Sequence, residues 1–235
     1  MKKLLSFILI LAMLTVAMVS CKKEDFTDAP TSNPSSQTPI NPLVENRYTI
    51  TEDEWLVALT LTNYTATVSR SETYNINGEI TSAEISAEMM ATTSVVWVKE
   101  LTENTSEEMY YVFGDGVTYC VREESDGTYE YVSTDPYNYY RNFGTSFACE
   151  SISYEDLTYN EIARAYLCTF TGEDGATMRY AFYFVDGKLT KVVATSSADY
   201  SDGAIRTSVE MSLSVTLSNL GTTTLTVPEF DRPGV

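Results

Sequence analysis

The chain contains no histidine among its 235 residues. This absence excludes the Ser-His-Asp and Cys-His arrangements of hydrolases and removes the commonest general base near neutral pH. It also removes the nitrogen ligands of mixed zinc sites. Neither a Gly-x-Ser-x-Gly motif nor a phosphate-binding glycine loop is present. We therefore expect no catalytic residues, no metal site and no cofactor, and we predict that the protein is not an enzyme.

Basic residues are also scarce. Lysine and arginine number 15 against 33 aspartates and glutamates, so the formal net charge is -18. A surface this acidic repels the phosphates of nucleic acid, which is therefore not an expected partner. Paired carboxylates such as Glu107-Glu108 and Glu123-Glu124 meet the minimum requirement of a glycosidase, but solvated strand ends and turns explain them better.

Cysteine is scarce as well, with four residues and no Cys-x-x-Cys motif. Cys21 lies near the N-terminus, whereas Cys120, Cys149 and Cys168 lie much further along the chain. In an oxidising compartment the last three allow one intramolecular disulfide at most. The alternative is that they are small buried thiols in a core. The sequence leaves both possibilities open.

The N-terminus has the order basic, apolar, small. Two lysines precede an apolar run over residues 4–18, and Val19-Ser20-Cys21 follows it. This order is typical of an export signal, and the run is too short to span a membrane comfortably. We predict a lipoprotein signal peptide over residues 1–20 and lipidation of Cys21. An ordinary secretory signal or an uncleaved anchor is the alternative.

Acyl chains on Cys21 would make the membrane a stable partner, since each buried methylene contributes about 0.8 kcal/mol. We therefore predict an extracytoplasmic protein that is anchored by lipid to the cell membrane or the outer membrane. Lys22 directly after the cysteine resembles the outer-membrane lipoproteins of Gram-negative hosts, and Lys23-Glu24-Asp25 resembles a surface-export signal.

The rest of the chain divides at a change of composition. Residues 21–43 are rich in proline, serine, threonine and asparagine and cannot build a core, so we predict a flexible tether behind the lipidated cysteine. Residues 44–235, about 190 in all, are enough for one domain with a substantial core. We interpret them as a single β-rich ectodomain.

The ectodomain begins with a helix signal. Thr51-Glu52-Asp53-Glu54 is a capping box, in which the threonine hydroxyl and the Glu54 carboxylate satisfy backbone N–H groups of the first turn. Trp55, Leu56 and Leu59 then fall on one face at helical spacing. The sequence predicts a short amphipathic helix through about Leu61.

After this helix the hydrophobic period changes to two. Apolar and polar residues alternate along the whole of 205–217, which predicts a strand with one buried and one solvated face. Asn77-Gly78, Asp126-Gly127, Asp186-Gly187 and similar dipeptides are typical of hairpin turns. We predict a mostly β fold, an antiparallel sheet of roughly 8 to 11 strands that is closed or strongly curved. Rougher alternation marks residues 64–71, 81–89, 117–123, 128–132, 164–170, 178–185 and 189–195.

One aromatic segment interrupts the strands. Asp135-Pro136 resembles a helix N-cap with proline at the first helical position, and Tyr139, Phe143 and Phe147 follow at a spacing of four. Two interpretations are open. The segment is either a plug that fills the concave side of the sheet or a lid and wall around an apolar ligand.

Several segments together resemble the LolA/LolB-like lipoprotein carriers and the LppX/LprG-like lipoproteins. The opening helix with Trp55 and Leu59 is similar, and so are the stretches Tyr110–Gly116, Phe182–Leu189 and Leu217–Pro228. The resemblance implies a curved antiparallel half-barrel with short helices on its concave side and an apolar cavity for acyl chains. It further implies that the cavity wall or lid consists of Trp55, Leu59, Tyr139, Phe143 and Phe147.

Three hypotheses about function follow. In the first, the protein binds or carries a lipid, an acylated partner or another apolar ligand in the half-barrel cavity. In the second, it is a non-enzymatic interaction module on the cell surface for glycan or an envelope protein. In the third, it is purely structural. An enclosed apolar volume of about 300 Å³ or more would favour the first hypothesis.

Overall fold

The computed structural model describes residues 49–102, 105–114, 116–135, 140–171, 176–202 and 205–232. The predicted signal peptide, Cys21 and the tether lie outside these ranges, as does Tyr139. Within the described ranges, no helix combines the length and the apolar character that crossing a membrane requires.

Eleven strands form one antiparallel sheet with two free edges. Their spatial order is β6-β5-β4-β3-β2-β1-β11-β10-β9-β8-β7, so the first and last strands pair at the centre and two meanders run outward from them. This open, mostly β sheet with few short helices confirms the predicted half-barrel class. The strands are β1 Tyr64–Ile76, β2 Glu79–Ala91, β3 Val95–Leu101, β4 Ser106–Gly114, β5 Val117–Glu123, β6 Tyr129–Asp135, β7 Thr158–Asn160, β8 Ala165–Thr171, β9 Thr177–Val185, β10 Lys188–Asp202 and β11 Ile205–Ser218.

Helix α1 spans Glu52–Leu59 and begins at the predicted capping box. The Glu54 backbone N–H donates to the Thr51 hydroxyl at 3.2 Å, and the Thr51 N–H donates to the Glu54 carboxylate at 2.8 Å. These two bonds satisfy donors that the first helical turn leaves without intrahelical partners. The capping box is therefore confirmed.

Helix α2 is a single turn, Phe143–Ser146, with Asn142 as its N-cap. The Asn142 side-chain oxygen accepts a hydrogen bond from the Thr145 N–H at 2.9 Å. The sequence places an N-cap at Asp135, but Asp135 is the last residue of β6 and pairs with Thr118 of β5. The ladder holds Asp135 extended, and residues 140–142 form a turn and a bend, so no continuous helix joins Asp135 to Phe147.

Positive backbone φ angles occur at the predicted hairpin turns. Asn77 and Gly78 have φ of 53° and 96°, and Asp186 and Gly187 have 48° and 74°. Two successive positive φ angles match the right-handed twist of the flanking strands. Turn geometry therefore explains these aspartate-glycine and asparagine-glycine pairs without a calcium ion.

The two faces of the sheet are covered differently. Helices α1 and α2 pack on the face that we call concave, where the larger core cluster includes Tyr64, Phe143 and Phe182. On the opposite, convex face a second cluster forms around Val95, Val112, Tyr119 and Val121. Leu225 and Phe230 of the C-terminal segment pack against that second cluster.

Cys120, Cys149 and Cys168 are buried free thiols. The structure thus supports the second of the two possibilities that the sequence leaves open. Burial raises the pKa of the Cys149 thiol, which keeps it protonated and unreactive. Among the described residues, no cluster of three or more histidine, cysteine, aspartate or glutamate side chains could hold a metal ion.

Candidate apolar ligand site

An apolar groove of about 100 Å³ lies on the concave face, between the sheet and the segment around helix α2. Five strands supply its floor and Tyr140, Ser146 and Phe147 supply its cover. The floor residues are Val68 and Arg70 of β1, Ile85, Ala87 and Met89 of β2, Val98 of β3, Met178 and Tyr180 of β9, Ala194, Thr195 and Ser196 of β10, and Met211, Ser212 and Leu213 of β11.

The strand register explains why these residues meet. Arg70 pairs with Ile85 on one side and with Leu213 on the other, and Leu213 pairs with Ala194. Every second residue of a strand points to the same face, so these positions form one row across the concave side. Because Ala66 pairs with Met89 and Glu72 with Met211, the floor extends six residues along β1, or about 20 Å.

Aromatic contacts hold the cover in place. Tyr140 lies 4.2 Å from Tyr111 of β4 between ring centroids, and Phe147 lies 4.9 Å from Phe143. The Phe143 N–H donates to the Leu61 carbonyl at 2.8 Å, which ties α2 to the end of the α1 segment. The cover is therefore attached at both the sheet and α1.

The structure separates the residues that the sequence assigns to the cavity wall. Phe147 lies on the groove wall, and Tyr139 lies outside the described residues. Trp55, Leu59 and Phe143 are 3%, 9% and 0% exposed and lie in the core cluster, not on the groove surface. The role of these five residues in ligand binding remains a prediction.

Trp55 shows why one part of the interior is a packed core. Its ring meets Phe182 at a centroid distance of 4.8 Å in an edge-to-face arrangement, and its indole N–H donates to the Ile152 carbonyl at 3.0 Å. Contacts of this kind fill the space under α1. The plug and the wall interpretations thus apply to adjacent parts of the same cover.

A buried ion pair lies towards the end of the groove floor. The Arg70 guanidinium contacts the Glu72 carboxylate, and their side chains are 13% and 7% exposed. The Tyr74 hydroxyl donates to Glu72 at 2.8 Å. Burial lowers the pKa of Arg70, whereas the charges of Tyr74 and Glu100 act in the opposite direction. Arg70 therefore brings a desolvated positive group to an otherwise apolar wall.

Sequence analysis did not single out Arg70, Tyr180 or the three methionines of the floor. The alternation of β1 contains one usable signal, because Arg70 shares its register with Tyr64, Ala66 and Val68. A charged residue in the inward register predicts a buried polar site. No comparable signal identifies the methionines, since a methionine in an alternating strand is an ordinary core residue.

A second, polar hollow of about 340 Å³ lies mostly on the other face of the central strands. Hydroxyl groups dominate its surface, and Arg179 and Glu210 add one charge of each sign. Its hydroxyl residues are Ser71, Thr73, Thr177, Thr195, Ser196, Ser197 and Ser212. The sheet therefore carries an apolar groove and a polar hollow close to the same strands.

Comparisons with known proteins identify no family. No protein-family model matches the sequence, and no match is found among curated proteins. Similar solved structures include a DUF1329 family protein from Desulfovibrio piger ATCC 29098, with a TM-score of 0.29 and 7% identity over 71% of this chain and 88% of that one.

Two further structures have lower scores. A putative outer membrane lipoprotein-sorting protein domain from Vibrio parahaemolyticus has a TM-score of 0.21 and 10% identity, and covers 66% of this chain and 83% of its own. MucB in complex with MucA(peri) has a TM-score of 0.13 and 8% identity, over 73% and 93%. TM-scores this low carry no functional argument, and the resemblance to the LppX/LprG-like group remains a prediction.

Proposed function

We propose that the chain is a non-enzymatic, extracytoplasmic lipoprotein, anchored through Cys21, which binds a lipid or another apolar ligand in the groove beneath Tyr140 and Phe147. The observation that carries this proposal is the groove itself: an apolar hollow between a sheet and an aromatic cover. Ligand sites of small molecules are concave and mostly apolar, with few polar groups. The N-terminal export signal supports the location.

The size of the groove restricts the ligand. Its volume of about 100 Å³ is below the roughly 300 Å³ of drug-sized ligand sites. A floor about 20 Å long and a small volume fit a narrow, extended molecule. Met89, Met178 and Met211 lie along this floor and adapt easily to a chain because their side chains are unbranched and flexible. We therefore expect a single acyl chain, not a bulky multi-chain lipid.

The first test is native mass spectrometry with organic extraction on the fragment from Val44 to Val235. This fragment holds every described strand, both helices and both core clusters, so it contains the contacts that its fold requires. A co-purifying lipid would support the proposal and identify the ligand class. Clean apoprotein that also takes up no fluorescent fatty acid would contradict it.

A matched pair of variants locates the site. Ala194 lies on the groove floor, and Ala198 lies on the same face of β10 four residues further along, outside the groove. Ala194→Leu fills the groove and is expected to abolish uptake of the fluorescent fatty acid, whereas Ala198→Leu is expected to leave uptake unchanged. Each substitution overpacks the structure by at most about 1–3 kcal/mol, so circular dichroism should show both variants folded.

The alternative function is a surface interaction module for glycan or an envelope protein. The polar hollow favours it, because hydroxyl groups with one arginine and one glutamate suit hydrogen bonding to a polar partner. Arg179→Ala and Glu210→Ala would weaken such binding and leave fatty acid uptake intact. Glycan or envelope-fraction binding that depends on these two residues, in a protein that takes up no lipid, would place this alternative first.

A further inference from the structure

Arg70 has a special position in the groove. Among the described residues that line it, Arg70 is the only one with a charged side chain. Val68, Ala87, Met89 and Val98 lie on one side of it along the floor, beneath the aromatic cover. Met211 and Ser196 lie on the other side, beyond the cover. The groove is therefore apolar at its covered end and gains polar groups at the opposite end.

Glu72 holds the Arg70 side chain from behind. Glu72 pairs with Met211 one row further along the sheet and is not part of the groove wall. One of its carboxylate oxygens contacts Arg70 and the other accepts the Tyr74 hydroxyl proton. A guanidinium has five N–H donors in a planar fork, so one carboxylate partner fixes its orientation without occupying the whole fork.

We propose that Arg70 binds a carboxylate at the groove wall, so that the ligand is a single-chain amphiphile with an acidic head, a fatty acid by chemical class. This inference rests on the proposed function. The acyl tail lies under Tyr140 and Phe147, and the carboxylate meets the Arg70 fork, with the Ser196 hydroxyl as a further donor at the same end. Arginine matches the geometry of a planar carboxylate with two parallel hydrogen bonds.

Charge and size disfavour other heads. A cationic head would meet the positive Arg70 in an apolar wall, where charge repulsion is stronger than in water. A neutral alcohol would gain an uncharged hydrogen bond, which is weaker than the charge-assisted bond of a carboxylate. A branched phosphodiester with two chains exceeds the groove volume of about 100 Å³.

The test is displacement of a neutral dye, N-phenyl-1-naphthylamine, from the Val44–Val235 fragment by three ligands with the same chain. These are dodecanoate, dodecanol and dodecyltrimethylammonium, each below its micelle concentration. Dodecanoate is expected to displace the dye at a concentration about tenfold lower than dodecanol does, and dodecyltrimethylammonium is expected to be the weakest. Equal or stronger displacement by either of the other two would overturn the inference.

Variants connect this preference to Arg70. The double variant Arg70→Met/Glu72→Leu replaces the ion pair by apolar side chains, an exchange that is often neutral for stability. It should still bind the dye but show no preference for dodecanoate. Arg70→Gln, which keeps a donor without the charge, gives the same readout if the double variant does not fold. The exposed Arg179, on the opposite face, supplies the control Arg179→Met, which should keep the full preference.

The outcomes distinguish the two proposals. A protein that binds dye and fatty acid but loses no preference in the Arg70 variants keeps the apolar site and overturns the role of Arg70. A protein that binds no dye and is displaced by no ligand overturns the apolar site, and the inference about Arg70 with it.

Discussion

The concave face has two halves that share the same strands but differ in what covers them. In the covered half, under α1 and α2, side chains such as Val215 and Leu217 of β11 are buried. In the uncovered half, the same register of β11 continues through Met211, Val209 and Thr207, which are only partly buried. The alternation of apolar and polar residues is equally regular in both halves, so periodicity determines which face a side chain occupies but not how deeply it is buried.

Strand β2 shows the same gradient in its own sequence. Thr81 and Ala83 are exposed, Ile85 is partly buried, and Ala87, Met89 and Ala91 are buried. The apolar groove lies where this gradient is steepest, at the border of the cover. A ligand site at this border needs both the apolar floor of one half and the polar access of the other.

Removing the cover should have the largest effect on this comparison. Phe143 is fully buried and its ring lies 5.8 Å from Tyr64 and 4.9 Å from Phe147. Phe143→Ala is expected to lower the free energy of unfolding by about 3–5 kcal/mol, since a buried aromatic ring leaves a cavity. Urea denaturation measures the loss. A change below about 1 kcal/mol would mean that the cover contributes little and that the two halves are energetically alike.

The sequence predicts the elements whose signals are local. The capping box at Thr51 and the turn at Asn77-Gly78 depend on a few neighbouring residues, and both are confirmed. The alternation pattern does not mark β3 and β4. In β3 the adjacent residues Val95 and Val96 are both buried, because the core covers one face and the C-terminal segment covers the other. A period of two disappears when both faces are apolar.

The candidate site is less predictable than the fold. Its floor combines residues from β1, β2, β3, β9, β10 and β11, and the pairing of β1 with β11 joins residues about 150 positions apart. Spacing along the chain carries no information about such pairs. Phe147 was accessible to sequence analysis because the aromatic segment 139–147 is dense, whereas Arg70 becomes a site residue only through its neighbours across the sheet.

A matched pair of valines sharpens the comparison. Val215 and Val209 lie on the same face of β11, six residues apart, but Val215 is fully buried and Val209 is partly buried. Val215→Ala should destabilise the protein by about 2 kcal/mol, from the loss of two buried methyl groups and the cavity that remains. Val209→Ala should cost about 0.5 kcal/mol. Equal losses in urea denaturation would contradict a border between the halves.

Glu100 supplies the smallest and most specific test of the uncovered half. It pairs with Ala87 and with Glu107, which brings a second carboxylate opposite it. Burial, and then the charge of Glu107, raise the pKa of Glu100 above its ordinary value of 4.5, and Arg70 counteracts this in part. A carboxyl group with a raised pKa in the folded state destabilises the fold once it ionises, because the unfolded chain ionises more easily.

The sign of the pH dependence follows from this difference. The penalty is absent below pH 4.5, where Glu100 is largely protonated in both states, and it develops as the pH rises through the raised value. Glu100→Gln should therefore stabilise the protein at neutral pH, by less than about 1 kcal/mol because the group is only partly buried, and the gain should vanish in acid. Urea denaturation at a series of pH values measures it. In a Glu107→Gln background the gain should shrink, since one of the two causes of the raised pKa is gone; a gain that is independent of pH would instead indicate a packing effect of glutamine.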